Sequence, residues 1–301
     1  MQRMIRALRR KTDLYPYSLL LPALTVTTFI IFIPLVYTFG LSFFNYVIWK
    51  PHEIKFVFLG NYKKALEDEV FWISFRNTLI WIAGVISLQL VLGFITALLL
   101  NRQFFWRSLA RSLILIPWVT PSVITALMWR WLYDGNSGLI NDILVRLGIL
   151  DRYFPWLANG STALPAIMFA LMWQGFPFFT VMILAGLQAI PTELYEVAKV
   201  DGANPMQMFF HITLPMLMPI LLTTILLRTI WVANSLDIIF IMTGGGPGYA
   251  SHTLPLYSYI RAYKGLDFGY ASTIAVYLTL LLVMIVTMYV IRILKTEERF
   301  R

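Results

Sequence analysis

Six long apolar runs divide this chain, and each is close to the roughly 20 residues that a helix needs to cross the hydrocarbon core of a bilayer. Several contain proline, which membrane helices tolerate where neighbouring helices satisfy the freed backbone groups. The pattern predicts an all-α integral membrane protein, with six transmembrane helices in a single domain over residues 1–301. The predicted spans are about residues 17–42, 78–100, 109–131, 162–187, 215–242 and 271–293.

A polar insert at residues 189–215 separates the fourth and fifth apolar runs. Its first half predicts a short helix, with Thr192 as a candidate N-cap and Glu193 in the first turn, where the helix dipole favours negative charge. The helix is expected to end at Asp201-Gly202, because glycine adopts the left-handed conformation at a helix end at little cost.

The second half of the insert predicts another short helix. Asn204 is the expected N-cap, Pro205 occupies the first helical position, where no amide hydrogen is needed, and Gln207 closes a capping box. The two helices would form a helical elbow at the membrane surface, a shape suited to docking into a partner.

The composition supports a membrane protein and excludes several kinds of site. The chain is 59% hydrophobic and only 13% charged, with a mean hydropathy of +0.72, whereas about 25% of residues are charged in soluble proteins. The absence of cysteine excludes disulfides, a thiol nucleophile and thiolate metal sites. The three histidines, His52, His211 and His252, lack metal-ligand spacing, so no metal site is expected.

The net charge of +9 follows the positive-inside rule of membrane proteins, so a nucleic acid partner is not expected. Lysine and arginine are concentrated in a basic tail at residues 1–16, in the second connection and in the C-terminal tail. By parity these segments share one side of the membrane, which predicts that both termini are cytoplasmic. The basic residues are Arg3, Arg6, Arg9, Arg10, Lys11, Arg102, Arg107, Arg111, Arg292, Lys295, Arg299 and Arg301.

The insert at 189–215 falls on the same side but departs from this basic trend. It carries Lys199 against Glu193, Glu196 and Asp201. An acidic cytoplasmic segment is better explained by a protein partner than by lipid.

Longer connections of mixed charge lie on the opposite side, including an outer loop at residues 243–270. Within another of them, residues 139–150 predict an amphipathic helix at the membrane interface. Its apolar face would consist of Leu139, Ile143, Leu144 and Leu147.

The polar insert resembles the EAA loop in the permease subunits of binding-protein-dependent ABC importers. It contains Glu196-Val197-Ala198, then Gly202, then Ile212-x-Leu214-Pro215, and Val197 stands where the family prefers alanine. Further stretches resemble the maltose and glycerol-3-phosphate type of permease, and the TGGGP stretch is typical of the first permease of a pair. These stretches are LPALTVTTFIIFIPLVYTFGLSFFNY, FVFLGNY, IPWVTPSVITALMWRWLYD, WQGFPFF, LAGLQAIP and TGGGPGYASHTLPLYSYIRAY.

The resemblance implies a type I ABC importer permease in the bacterial or archaeal inner membrane, with the insert as its cytoplasmic coupling loop. It also implies a second, similar permease, two ATPase subunits that bind ATP and magnesium, and a periplasmic or lipid-anchored solute-binding protein. The chain itself would bind no cofactor. The residues expected to couple it to the ATPase are Glu196, Ala198, Asp201, Gly202 and Ala203.

The fifth apolar run contains ionisable groups at membrane depth, which usually face a cavity or a partner because their insertion is costly. Arg228, Trp231 and Ser235 are spaced three and four residues apart, so a helix would present them on one face, with Asn234 at its margin. This mixture suits a polyhydroxylated ligand. In the alternative interpretation, Arg228 pairs with an acid of the partner permease and Trp231 only packs.

Asp237 lies nine residues beyond Arg228, so a straight helix would direct the two side chains apart. We expect Asp237 to contact a neighbouring helix or an opened stretch near Thr243.

The fourth run contributes candidates that the resemblance identifies. Gln174, Gly175 and Phe178 match positions that meet sugar in the family, and Trp118 before the kink of the third run is expected to cap the cavity. For the aromatic residues, simple packing is the alternative. Gln89 in the second run is a further, weaker candidate.

The glycine run at 243–248 lacks the Gly-Lys-Ser/Thr ending of a phosphate-binding loop, so ATP hydrolysis by this chain is not expected. Two interpretations stay open for it. It is either a flexible outer turn or a surface to which a solute-binding protein approaches closely.

The sequence therefore predicts a permease that imports a sugar or sugar derivative delivered by a solute-binding protein. The alternative is an anionic sugar or glycerol derivative, such as a phosphate, sulfonate or uronate, for which the fork of Arg228 is suited. A stand-alone secondary transporter is a remote alternative, and it would give the acidic elbow no purpose. A membrane-embedded enzyme would need acids or histidines clustered near one interface, and the sequence has none.

Overall fold

The computed structural model describes residues 15–299, so the basic side chains predicted at residues 3–11, and those of Lys295, Arg299 and Arg301, lie outside the described part. Between these limits the fold is helical, with one two-stranded antiparallel hairpin, β1 (Phe44–Asn45) and β2 (Lys55–Phe56), in which Phe44 pairs with Phe56. The helices are α1 (Tyr15–Thr27), α2 (Ile33–Leu41), α3 (Gly60–Glu67), α4 (Glu69–Asn101), α5 (Arg107–Leu113), α6 (Ile116–Val119), α7 (Ser122–Leu132), α8 (Leu139–Arg146), α9 (Ala163–Ala189), α10 (Thr192–Val200), α11 (Pro205–Met208), α12 (Leu214–Ala233), α13 (Asp237–Met242), α14 (Leu254–Tyr263) and α15 (Phe268–Arg299).

Five helical stretches in residues 15–299 are long and apolar enough to cross a membrane, and one bent helix pair makes a sixth. This confirms the predicted all-α membrane fold. A π-helical turn at Thr28–Phe32 joins α1 to α2 within the first span. The second span begins at Glu69, nine residues earlier than predicted, because Asp68 caps it by accepting a hydrogen bond from the amide of Val70 at 2.9 Å.

The third span, predicted at about residues 109–131 with a kink, is divided into two helices. Arg107–Val119 and Ser122–Leu132 meet at an angle of 92°. The reason is local, since Pro121 forces the preceding Thr120 out of the helical region, to a ψ of 125°. The span is therefore broken or re-entrant.

The fifth span also differs from the prediction. α11, a π-helical turn at Phe209–Thr213 and α12 form one apolar helical stretch, Pro205–Ala233, so the predicted second elbow helix is the beginning of the span. The predicted end at residue 242 is wrong, because the helix stops at Ala233 and α13 starts at Asp237.

The core lies between α4, α9 and α12. Trp81 on α4 is buried, and its indole Nε1 donates to the carbonyl of Val232 on α12 at 2.9 Å. Val85, Ile167 and Phe179 fill the α4–α9 contact, which is the most extensive in the fold. In contrast, the apolar stretch of the first span has no buried residue, and its main contact with another span is that of α2 with α15.

The outer connections are held by polar side chains. Asp68 accepts hydrogen bonds from the hydroxyl groups of Tyr257 and Tyr270, and Arg261 lies 3.7 Å from the same carboxylate. Burial by itself would raise the pKa of Asp68, but these hydroxyl groups, the Val70 amide and the charge of Arg261 lower the pKa below its usual value. The carboxylate therefore joins α14 and α15 to the start of α4.

The loop that contains the glycine run at 243–248 is hydrogen-bonded to α4 and within itself. Asn77 on α4 donates to the carbonyls of Tyr249 and Ala250 at 3.3 and 3.1 Å. The hydroxyl of Ser251 donates to the Gly246 carbonyl at 2.8 Å. The predicted amphipathic helix is present as α8, with Leu139, Ile143 and Leu147 exposed.

Candidate functional site

A polar cluster lies inside the helix bundle, where α4, α9 and α12 meet. Arg228 on α12 is 7% exposed, and its Nε donates to Oε1 of Gln89 on α4 at 3.0 Å. Gln89 Nε2 in turn donates to the carbonyl of Leu171 on α9 at 2.7 Å. A Cβ at Gly175 on α9 would lie 2.1 Å from both Arg228 Nη2 and Gln89 Nε2, so only glycine leaves room for them.

The cluster is uncharged apart from Arg228. Among the residues that the structure describes, the guanidinium forms no ion pair, and its resolved side-chain partner is the neutral amide of Gln89. Gln89, a weaker candidate in the sequence, is thus the residue that positions Arg228. In the sequence, the signal for this role of Gln89 was a single amide side chain in the middle of an apolar run.

Three aromatic rings extend from this cluster towards the surface. The guanidinium of Arg228 lies 5.7 Å from the ring centroid of Trp231, and the ring of Phe178 is 5.1 Å from Trp231 and 5.6 Å from Trp118. Phe178 is buried, whereas Trp118 and Trp231 are 43% and 47% exposed. A ligand reaching Arg228 from this side would therefore meet aromatic faces first. Trp118, Phe178 and Trp231 lie close together, as a common site requires, and their role in transport stays a prediction.

Other predicted pathway residues are bound to backbone carbonyls. Gln174 Nε2 donates to the carbonyl of Thr120 at 2.8 Å, which fixes α9 to the break in the third span. Asn234 Nδ2 donates to the Ile230 carbonyl at 2.8 Å, and Ser235 Oγ donates to the Trp231 carbonyl at 3.1 Å. Because α12 ends at Ala233, the expectation that Ser235 shares a helix face with Arg228 is wrong.

Asp237 contacts a neighbouring helix, as expected from its distance along the chain. Its Oδ2 accepts a hydrogen bond from Oγ of Ser122 on α7 at 3.2 Å. Arg130 on α7 completes this contact by donating to the Ile241 carbonyl at 3.1 Å. The helix opens at residues 234–236, and Thr243 lies after the end of α13.

The elbow forms a second candidate site, at the opposite end of helix Pro205–Ala233 from Arg228. The predicted capping box of Asn204 and Gln207 is confirmed, with hydrogen bonds of 2.9 and 2.8 Å, and Gly202 has the expected positive φ of 80°. Thr192 is not the N-cap, because Pro191 occupies that position and Thr192 is the first helical residue. Tyr195 anchors α10 to the membrane helix through a 2.9 Å hydrogen bond with Thr213.

The outward face of α10 combines acidic and apolar side chains. Glu196 and Asp201 are exposed, and Val197 and Val200 are 61% and 88% exposed. Beside them lies an open groove of about 410 Å³. Four of the predicted coupling residues, Ala198, Asp201, Gly202 and Ala203, line this groove together with His211 and other residues of α11 and the π-helical turn. The elbow thus presents an acidic and apolar surface beside an open groove.

Comparison with known proteins gives one consistent result. Residues 89–297 match the family described as binding-protein-dependent transport system inner membrane component. The chain is 39% identical, over 92% of each chain, to the trehalose/maltose transport system permease protein MalF of Thermococcus litoralis. It is 36% identical, over 93% of this chain and 90% of the other, to the sulfoquinovosyl glycerol transport system permease protein SmoG of Agrobacterium fabrum.

A solved structure has a similar fold. It is a bacterial ABC transporter involved in the import of the acidic polysaccharide alginate, with a TM-score of 0.81 and 20% sequence identity, and the match covers 97% of this chain and 99% of the other.

Proposed function

We propose that this chain, which belongs to the family of binding-protein-dependent transport system inner membrane components, translocates a sugar or sugar derivative as one of two permeases in an ATP-driven importer. The substrate class is supported by two relatives, which are named as permeases for trehalose and maltose and for sulfoquinovosyl glycerol. It is also supported by the aromatic face of Trp231 beside the donors of Arg228, and by Trp118 further along the same row of rings. Sugars stack on aromatic rings and form hydrogen bonds at their edges.

The observation that carries the proposal is the continuity between the elbow and the polar cluster. Helix Pro205–Ala233 begins at the elbow and carries Arg228 near its other end, about 35 Å away at 1.5 Å per residue. Gln89 and Gly175 lie on α4 and α9, which pack on each other. A displacement of the elbow would therefore be transmitted along this helix to Arg228 and to its contact with Gln89 on α4.

Two surfaces that stay exposed in this chain are proposed as contacts with partner proteins. The acidic and apolar face of α10 is proposed to dock into an ATPase subunit that binds ATP and magnesium. The first span, which has no buried residue in its apolar stretch, is proposed to contact the second permease. The lysine and arginine distribution supports cytoplasmic termini and a cytoplasmic elbow.

The anionic-solute alternative has less support. An acidic group would have to displace the contact of Arg228 Nε with Gln89 Oε1 or bind the remaining guanidinium nitrogens. The relative with 39% identity is named for trehalose and maltose, which are uncharged sugars. A stand-alone transporter is disfavoured, because it would leave the exposed acidic and apolar face of α10 without a partner.

The test is uptake into proteoliposomes that contain this chain, the second permease, the ATPase and the solute-binding protein. Wild-type complexes should import trehalose or maltose only with ATP, and Arg228→Ala should reduce uptake by about 10-fold or more, because hydrogen bonds to a charged group contribute roughly 1.5–3 kcal/mol. Arg130→Ala is the matched control, since this arginine lies outside the cluster. Import by the chain alone, or equal uptake by Arg228→Ala and wild type, would contradict the proposal.

A further inference from the structure

An exposed acid lies between the polar cluster around Arg228 and the outer loop at residues 243–270. Asp237 is the first residue of α13, the short helix that connects the end of α12 to this loop. Its side chain is exposed, although the apolar run of the fifth predicted span includes this position. An acid at such a depth is costly unless it faces water, a ligand or a partner. The surface around Asp237 is therefore a candidate for contact with one of these.

The packing of α13 on α7 does not by itself account for this acid. Ile238 and Ile239 are buried, and α13 packs closely on α7. The Asp237 carboxylate adds one hydrogen bond, in which its Oδ2 accepts from Oγ of Ser122 at 3.2 Å, and it forms no ion pair with any side chain that the structure describes. A carboxylate has about four acceptor sites, so most of them stay available to a further ligand.

Two helix breaks bring Asp237 close to the row of aromatic rings described above. One break lies between Trp118 and Ser122. The other lies between Trp231 and Asp237. The two tryptophan rings flank the ring of Phe178 on one side of these breaks, and the hydrogen bond from Ser122 to Asp237 joins the same two segments on the other side. The exposed rings and the exposed carboxylate therefore border one surface of the bundle.

This combination of groups suits an uncharged sugar. A sugar ring can stack on an aromatic face while two of its neighbouring hydroxyl groups donate to one carboxylate, and hydrogen bonds to a charged group are stronger than those between neutral groups. An anionic solute would instead bring a like charge, and further acceptors, to the acceptors of Asp237. Because Arg228 lies at the inner end of the row of rings, such a solute would meet the acid before it reached the arginine.

We propose that Asp237 contacts the solute on its way to Arg228 and selects uncharged, polyhydroxylated solutes over anionic ones. This inference rests on the proposed function and adds to it a specificity-determining residue. The repulsion between two unit charges about 10 Å apart corresponds to a factor of about 4 to 16 at effective dielectric constants of about 40 to 20. Removal of the charge at Asp237 should raise the uptake of an anionic solute relative to an uncharged one by this factor.

The test measures ATP-dependent uptake into proteoliposomes that contain the complete importer. Initial rates are compared for trehalose and for an anionic derivative, a uronate or a 6-phosphate, chosen because the solute-binding protein binds it. The preference of the binding protein cancels when the anion-to-trehalose ratio of each variant is divided by that of the wild type. Asp237→Asn should raise this ratio by about 4- to 16-fold and lower the efficiency of trehalose uptake.

Two variants separate solute contact from a structural role. Ser122→Ala removes the hydroxyl that binds Asp237 but keeps the carboxylate, so the ratio should stay at its wild-type value. Asp142→Asn is the matched control for the loss of one negative charge, because this acid belongs to α8 and pairs with Arg146 of the same helix at 2.9 Å. It should also leave the ratio unchanged.

The possible outcomes are distinct. Equal effects of Asp237→Asn and Ser122→Ala would show a purely structural role and overturn the inference. Size-exclusion chromatography would overturn it in another way if Asp237→Asn alone lost the second permease, since the acid would then contact that subunit. An unchanged ratio in Asp237→Asn would remove the selectivity. A wild-type importer that takes up no sugar with ATP would instead contradict the proposed function itself.

Discussion

Replacement of Gly175 by alanine tests whether the polar cluster around Arg228 is the solute site. The new Cβ would lie 2.1 Å from both Arg228 Nη2 and Gln89 Nε2, so each group would have to move by about 1.4 Å to reach an ordinary contact near 3.5 Å. The 3.0 Å hydrogen bond between Arg228 and Gln89 is then expected to lengthen or break.

The magnitudes separate folding from transport. Overpacking a core costs about 1–3 kcal/mol, whereas alanine gains about 1 kcal/mol over glycine inside a helix, so α9 should still fold. If Arg228 donates to the solute, misplacing it should cost about 1.5–3 kcal/mol, or roughly 10- to 150-fold in the efficiency of uptake.

The assay is the initial rate of ATP-dependent uptake into proteoliposomes at several solute concentrations, with complex assembly measured by size-exclusion chromatography. Gly84→Ala is a matched control at the same α4–α9 contact. Its Cβ would lie 2.0 Å from Met168 Cε, the flexible end of a side chain that can move aside. Normal uptake by Gly175→Ala, or an equal loss in Gly84→Ala, would refute the assignment of the cluster to solute.

Three further predictions concern the elbow, the cluster and the outer network. Gly202→Leu should uncouple ATP hydrolysis from uptake. The space around Gly202 is open, but the φ of 80° at this position costs most other residues about 1–2 kcal/mol. Asparagine tolerates this conformation, so Gly202→Asn should retain coupling in the same assays. Gln89→Leu should leave Arg228 without its resolved acceptor and destabilise the protein by about 1–3 kcal/mol, measured by thermal unfolding in detergent. The pKa of Asp68 is lower in the folded than in the unfolded state, so the carboxylate stabilises the fold fully at a pH above its unfolded-state pKa. This stabilisation is lost as the pH falls through the folded-state pKa. Asp68→Asn should therefore flatten the decline of Tm in acid below about pH 4.

Hydropathy predicted the number and type of spans because it reports only whether a stretch can reside in lipid. It did not report where the backbone breaks. Pro121 ends the helical path of the third run through Thr120, and the polar side chains of Asn234 and Ser235 bind carbonyls at the end of α12. Pro121 in the third run and the polar residues Asn234, Ser235 and Asp237 in the fifth mark these breaks, but hydropathy averaged over a whole run does not register them.

Local periodicity was similarly informative only within one helix. It correctly placed Trp231 next to Arg228, since three residues make nearly one turn. It could not show that Gln89 and Gly175 surround the guanidinium, because these residues lie on α4 and α9 and meet it through tertiary packing. The capping box at Asn204 was predictable because all of its atoms belong to four consecutive residues.

The two ends of helix Pro205–Ala233 explain how the elbow and the cluster can work together. At one end, Gly202 and the capping box of Asn204 form a joint outside the helix; at the other, the helix stops five residues after Arg228. No helix break separates the joint from Arg228, although the π-helical turn at Phe209–Thr213 changes the local winding. In the proposed function, a force on α10 would reach the arginine and its contacts with α4 and α9 through this helix, which would couple solute access to the ATPase cycle of a partner.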